Sequence, residues 1–170
     1  MKYGDGAARL FLALWPDETT REELARCRDA WAWSVDARPV PSEQLHVTLH
    51  FLGAVPRARL PELTSKLRAP LHPFALRLGR AQRWPNGIAA LTPTAVPPEL
   101  LALHAALQGC LSDLGLRTES RRFKPHVTLA RNARNSIAST LEQAVDWKVD
   151  RYVLVESRGD GGYTVLQSYP

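Results

Sequence analysis

His46-Val47-Thr48-Leu49 recurs eighty residues later as His126-Val127-Thr128-Leu129. In an extended strand residues i and i+2 share a face, so each histidine lies beside its threonine while Val and Leu point to the opposite, buried side. Each copy therefore offers one imidazole and one hydroxyl to the same space. The chain has only five histidines, and a match of this kind arises by chance in roughly one chain of its size in 500. Two such strands paired about a pseudo-twofold would bring both imidazoles and both hydroxyls to one small ligand.

The sequence around the repeat reads as an α+β fold. Arg9–Trp15 is an apolar strand, and a helix follows from Asp17 to about Trp33, with Asp17 as its cap and Leu24, Cys27, Ala30 and Trp31 at helical spacing. The first His strand spans Leu45–Leu52 and closes at Gly53, and a second helix covers Pro56–Ala69. Phe74–Leu78 and Ile88–Leu91 flank the Pro85-Asn86-Gly87 turn. Pro97 and Pro98 open a helix over Glu99–Leu114 that stops at Gly115. The second His strand is His126–Ala130, a short helix is expected over Ile137–Ala144, and Val149–Glu156 with Tyr163–Tyr169 form a hairpin across residues 159–162. This order lacks a regular βαβ beat, which favours antiparallel sheet. One domain is expected across residues 1–170, built as two pseudo-symmetric lobes with antiparallel sheets lining a central cleft and helices outside.

Bulk composition narrows the classes. With 170 residues, 45% of them apolar and 23% charged, the chain is an ordinary globular domain. Two cysteines, Cys27 and Cys110, cannot make a disulfide framework and fit a reducing cytoplasm. The apolar run Leu10–Trp15 is too short for a membrane span or a signal-peptide core. Lysines and arginines number 22 against 17 acidic residues, and only Lys2, Lys66, Lys124 and Lys148 are lysines. Residues 121–134 hold Arg121, Arg122, Lys124, Arg131 and Arg134 with no acid, so this window carries the whole net charge of +5.

That basic frame surrounds His126 and suits a phosphate-bearing ligand. Two histidines facing one reaction centre suit acid–base chemistry near neutral pH, one accepting a proton while the other donates. Thr48, Thr128 and Arg131 suit phosphate oxygens, and Phe123 or Phe11 could stack a base. Under strict alternation Arg131 falls on the face opposite His126, and it reaches the ligand only if the strand ends or bulges near Ala130. The same alternation puts His50 on the face of His46, where it is expected at the rim of the cleft.

The chain resembles the two-histidine (2H) phosphoesterase superfamily, and within it the RNA 2′,3′-cyclic phosphodiesterases, also called the 2′-5′ RNA ligase family. The resemblance rests on Arg9-Leu-Phe-Leu-Ala-Leu-Trp-Pro16, Gln44-Leu-His-Val-Thr-Leu-His-Phe-Leu-Gly53, Arg122-Phe-Lys-Pro-His-Val-Thr-Leu-Ala-Arg131 and Tyr163-Thr-Val-Leu166. It implies a bilobal fold without metal or other cofactor, acting on RNA that ends in a 2′,3′-cyclic phosphate and leaving a 2′-phosphate. It also implies His126 as general base and His46 as general acid. A weak 2′-5′ joining activity is implied as the same chemistry run backwards. A monomer without membrane association is expected.

Three rival readings remain open. His46-x-x-x-His50 has the spacing of a zinc protease, but Val47 stands where that site needs Glu, and the segment is strand-like. A non-catalytic RNA-end binder would keep the arginines without needing matched histidines. The same chemistry could also serve a 2′-5′ oligonucleotide or a small cyclic nucleotide. Arg158-Gly159-Asp160 reads as a turn, His72 and His104 lack a threonine partner, and the tryptophans read as core or rim packing.

Overall fold

Leu10, Leu12 and Leu14 alternate with Phe11 and Ala13, and all five are buried, so strand β1 (Ala7–Leu14) must be covered on both faces. In the computed structural model, which describes residues 6–170, the leucine face joins the main core. Phe11 and Ala13 join a smaller cluster with Val153 and Val155, edged by Trp15 and Tyr163. Helix α1 (Glu18–Asp29) begins at Asp17, whose carboxylate accepts the Thr20 N–H at 2.8 Å. It ends before Trp31, earlier than its periodicity predicts. The backbone of Ala32 is instead held extended by a two-bond bridge to Ile137.

That bridge also removes the helix expected over Ile137–Ala144. Extended Ile137 cannot start a run of i→i+4 bonds, and Val145–Val149 forms a strand, β7, with Val145, Trp147 and Val149 buried. The hairpin therefore starts later than expected, as β8 (Tyr152–Ser157) and β9 (Tyr163–Tyr169). Helix α2 (Leu60–Lys66) is shorter than its predicted span, because a 3₁₀ turn occupies Arg57–Arg59. Strand β5 (Ala89–Pro93) and helix α3 (Pro98–Asp113) lie close to where the sequence puts them, while β4 (Phe74–Arg83) starts as expected and runs on past Leu78 to Arg83, paired there with β5. A two-residue strand β2 (Arg38–Pro39) was not expected.

The strands pair in the order β7-β4-β5-β6-β3-β1-β8-β9, with β2 on β6 (Val127–Arg131). Every pairing is antiparallel. Four strands lie on each side of the β6–β3 junction, and each half contributes one His strand to it. Strands β3 and β6 themselves meet at a single pair, Val47 opposite Val127, and β2 continues the contact along β6. Helix α1 leaves the first half to pack on β7 of the second, and α3 leaves the second half to pack on β3 (Val47–Pro56) of the first. This exchange clamps the halves together behind the junction. No helix among the described residues is long and apolar enough to cross a membrane.

Candidate active site

Val47 and Val127 occupy equivalent places in the two repeats, so their pairing puts the pseudo-twofold between them. Continuing the register by one residue each way sets His46 across from Thr128, and Thr48 across from His126. Each imidazole thus faces its own threonine along the strand and the other threonine across it.

The backbone fixes both rings in the same way. His46 Nδ1 lies 2.6 Å from the Gln44 carbonyl oxygen, and His126 Nδ1 lies 2.7 Å from that of Lys124. A carbonyl can only accept, so Nδ1 carries the hydrogen in each ring, and in the neutral form Nε2 is left bare toward the cleft. The Thr48 hydroxyl donates to His46 Nε2 at 3.0 Å. Gln44 is held in turn by its side-chain amide, which donates to the Gly161 carbonyl at 2.8 Å.

Both histidines are harder to protonate than a free imidazole. His46 is pushed down to about 4, first by burial and then by the charges of His126, Arg131 and Arg21, against the opposing pull of the Gln44 carbonyl. His126 is lowered by burial and by Arg131, with the Lys124 carbonyl again opposing. Arg131 therefore acts electrostatically on both rings. The free site holds two neutral imidazoles beside a guanidinium, which is an environment built for an anion.

Arg131 reaches that position through a bulge. Ala90 pairs with Thr128 and Ala89 with Ala130, so Leu129 is the extra residue, Ala130 turns into the core and Arg131 returns to the cleft face. The first strand carries the same irregularity. Ala13 pairs with Thr48 and Leu12 with His50, so the extra residue is Leu49. His50 is thereby turned off the cleft face, correcting its expected place at the rim. It is 5% exposed, donates from Nε2 to the His104 carbonyl at 2.9 Å and stacks on the His104 ring at 4.0 Å. His46 and His50 stand on opposite faces of the sheet and cannot share one metal ion.

Phe123 is also displaced from its expected role. Its ring stacks on the other face of His104 at 4.0 Å and packs against the main core, so it is no free platform for a base. Phe11 is 3% exposed and serves as a wall, 5.1 Å from the His46 ring. The rest of that wall was not expected from the sequence. Trp15 stacks on His46 at 5.5 Å and Tyr163 meets it edge-on at 5.6 Å, while Arg21 lies 5.5 Å below Trp15. Around His126 the corresponding ring is Trp84, at 4.6 Å. The one available signal was position, since Trp15 directly follows the strand beside His46.

A family model described as the 2′-5′ RNA ligase superfamily matches residues 16–161. The chain belongs to that superfamily. Among members of the 2′-5′ RNA ligase superfamily, the chain is 31% identical to the RNA 2′,3′-cyclic phosphodiesterase of Escherichia coli, over 95% of each chain. It is also 31% identical to that of Thermus thermophilus, over 95% of this chain and 89% of the relative. The crystal structure of E. coli LigT complexed with 3′-AMP superposes with a TM-score of 0.82 at 29% identity, covering 95% of this chain and 97% of LigT. Membership and fold thus agree with the antiparallel α+β architecture of the chain.

Proposed function

We propose that this chain hydrolyses the 2′,3′-cyclic phosphate at an RNA 3′ end to a 2′-phosphate, using His46 and His126 as a paired acid and base. The observation that carries the reading is the junction itself. Two imidazoles, each with Nδ1–H tied to a carbonyl, present Nε2 to one space that also receives two threonine hydroxyls and Arg131.

The cyclic phosphate sits between the rings. Water attacks phosphorus from the side opposite O3′ and gives a proton to His126 Nε2, which has no hydrogen-bond partner among the described residues. The phosphorus–O3′ bond breaks, and His46 delivers its proton to the departing oxygen, while the bond to O2′ stays. Thr48, Thr128 and Arg131 hold the charge that builds on the non-bridging oxygens. His46 is neutral in the free site and takes up its proton as the anionic substrate arrives, since that charge offsets Arg131 and Arg21. Thr48 then rotates to accept from the ring. With a 5′-hydroxyl in place of water as the nucleophile, the same steps open the cyclic phosphate onto that oxygen, O3′ leaves protonated, and a 2′-5′ phosphodiester results, consistent with the family's ligase name. One chain supplies both halves of the site, which supports a monomer. The free thiols of Cys27 and Cys110 support a reducing, cytoplasmic setting.

The test is an RNA ending in 2′,3′-cyclic phosphate, incubated with the protein in excess EDTA, with the product terminus identified. A 2′-phosphate is expected. A 3′-phosphate would overturn the assignment, and binding without turnover would leave an RNA-end binder. Substitution of either histidine by Ala should cost about 10²–10⁴-fold in kcat. A substrate with sulfur at the 3′ leaving position needs no protonation there, so it should rescue His46→Ala and not His126→Ala.

A further inference from the structure

The two halves of the sheet share a backbone plan and differ in what they present to the cleft. Around His46 stand Phe11, Trp15 and Tyr163, and the fifth residue after the histidine is Phe51, a ring 52% exposed. The fifth residue after His126 is Arg131. One side is aromatic and suits a base, while the other is cationic and suits a backbone.

The cationic side continues past Arg131. Asn132 adopts a left-handed φ of 52°, and beyond it lies an open depression of about 390 Å³ lined by Asp36, Asn86, Asn132, Arg134 and Asn135. Its wall is the β4–β5 turn. The Ala133 N–H donates to the Gly87 carbonyl at 2.8 Å, and a Cβ on Gly87 would stand 3.3 Å from Arg134 Cγ, so glycine there lets the Arg134 stem lie against the turn. The same turn begins at Trp84, whose ring meets His126. Trp84 and Asn86 are two residues apart, at most about 7 Å of chain. The depression is therefore walled by the same turn that carries Trp84 to His126, and every side chain lining it is polar or charged.

We infer that this depression is the subsite for the nucleotide on the 5′ side of the cyclic phosphate, a reading that rests on the hydrolysis proposed above. Arg134 takes the phosphodiester that joins that nucleotide to the terminal one. The three asparagines offer amides to its sugar and base edge, and Asp36 accepts from its 2′-hydroxyl, the group that distinguishes RNA from DNA. The terminal base then lies on the aromatic side, and the chain leaves over the second half of the sheet.

Two substrates test it: adenosine 2′,3′-cyclic phosphate and a diadenylate ending in the same group. The wild-type protein should show a kcat/KM about tenfold higher for the dinucleotide, expressed in KM. Arg134→Ala should erase that advantage and leave the mononucleotide rate unchanged. It should also flatten the plot of log kcat/KM against log salt for the dinucleotide by about 0.7, the contribution of one phosphate contact on a single strand. Asn135→Asp, which puts a repelling charge in the depression without shortening the side chain, should erase the advantage too. Equal kcat/KM for the two substrates in the wild type, or an advantage that survives both substitutions, would overturn the subsite while leaving the hydrolysis intact. Failure to turn over either substrate would overturn the hydrolysis and the subsite with it.

Discussion

Mild acid should destabilise this protein through its buried cleft imidazoles, and His46 sets the size of the effect. In the unfolded chain histidine titrates near 6.5, whereas in the folded protein His46 titrates at about 4. The unfolded state therefore takes the proton first. Stability is fully present above pH 6.5 and is lost as pH falls toward 4, with each unit of separation worth about 1.4 kcal/mol. The gap corresponds to at most about 3 kcal/mol from this one ring, less whatever solvent screening the open side of the cleft allows. For a protein whose total stability is about 5–15 kcal/mol, that is a large share. Urea unfolding between pH 7 and pH 4 measures it directly, and the midpoint should fall by about 1–3 M at an ordinary denaturant slope. Other groups titrate in the same range, so the comparison is with His46→Asn, whose amide can still donate to the Gln44 carbonyl but cannot protonate. The variant should lose less stability over the interval, by up to about 3 kcal/mol. Parallel declines in the two proteins would refute the burial of His46 as the cause of its shift.

Arg131→Ala should lower kcat/KM by about 10²-fold, as expected for the loss of a charged donor to a developing oxyanion. It should also move the acidic limb of the pH–rate profile upward, because the removed cation opposes protonation of both His46 and His126; a profile that keeps its position would separate Arg131 from the imidazoles. In the wild type, the kcat/KM bell reports the free enzyme and should have its maximum below pH 6.5, while that for kcat should lie at higher pH because bound phosphate favours the protonated form. Thr48→Val should cost about three- to tenfold in kcat, the worth of one hydrogen bond, and raise little else. His104→Ala removes a ring stacked between His50 and Phe123 and should lower stability by about 1–3 kcal/mol on thermal unfolding, at two ring contacts of about 0.5–1.5 kcal/mol each.

Much of the site was legible because it depends on local geometry. A period of two puts His46 with Thr48 and His126 with Thr128, and Asp17, Pro98 and Gly115 mark helix ends by their backbone chemistry alone. Where the sequence misled, long-range pairing had overruled a local preference. Residues 137–144 have nothing against a helix except the bridge from Ile137 to Ala32, which is made across 105 residues of chain. Gly53 reads as the end of a strand, yet it is a φ +72° irregularity inside β3, which runs on to Pro56.

The deeper division lies just beyond each threonine. The sequence by itself determined that each imidazole would share a face with one hydroxyl, since that comes from alternation within five residues, whereas the pairing of Val47 with Val127 brought the two sets to one space. Only the tertiary structure decided that Leu49 and Leu129 would be bulged. A bulge is a mismatch between two paired strands, and it is set by β1 against β3 and by β5 against β6 rather than by either strand alone. Each mismatch inverts the side chains that follow it, on β3 as far as the second irregularity at Leu52. The bulge at Leu49 hides His50 behind the sheet, against a helix that crosses over from the other half, and the bulge at Leu129 delivers Arg131 to the cleft beside His126.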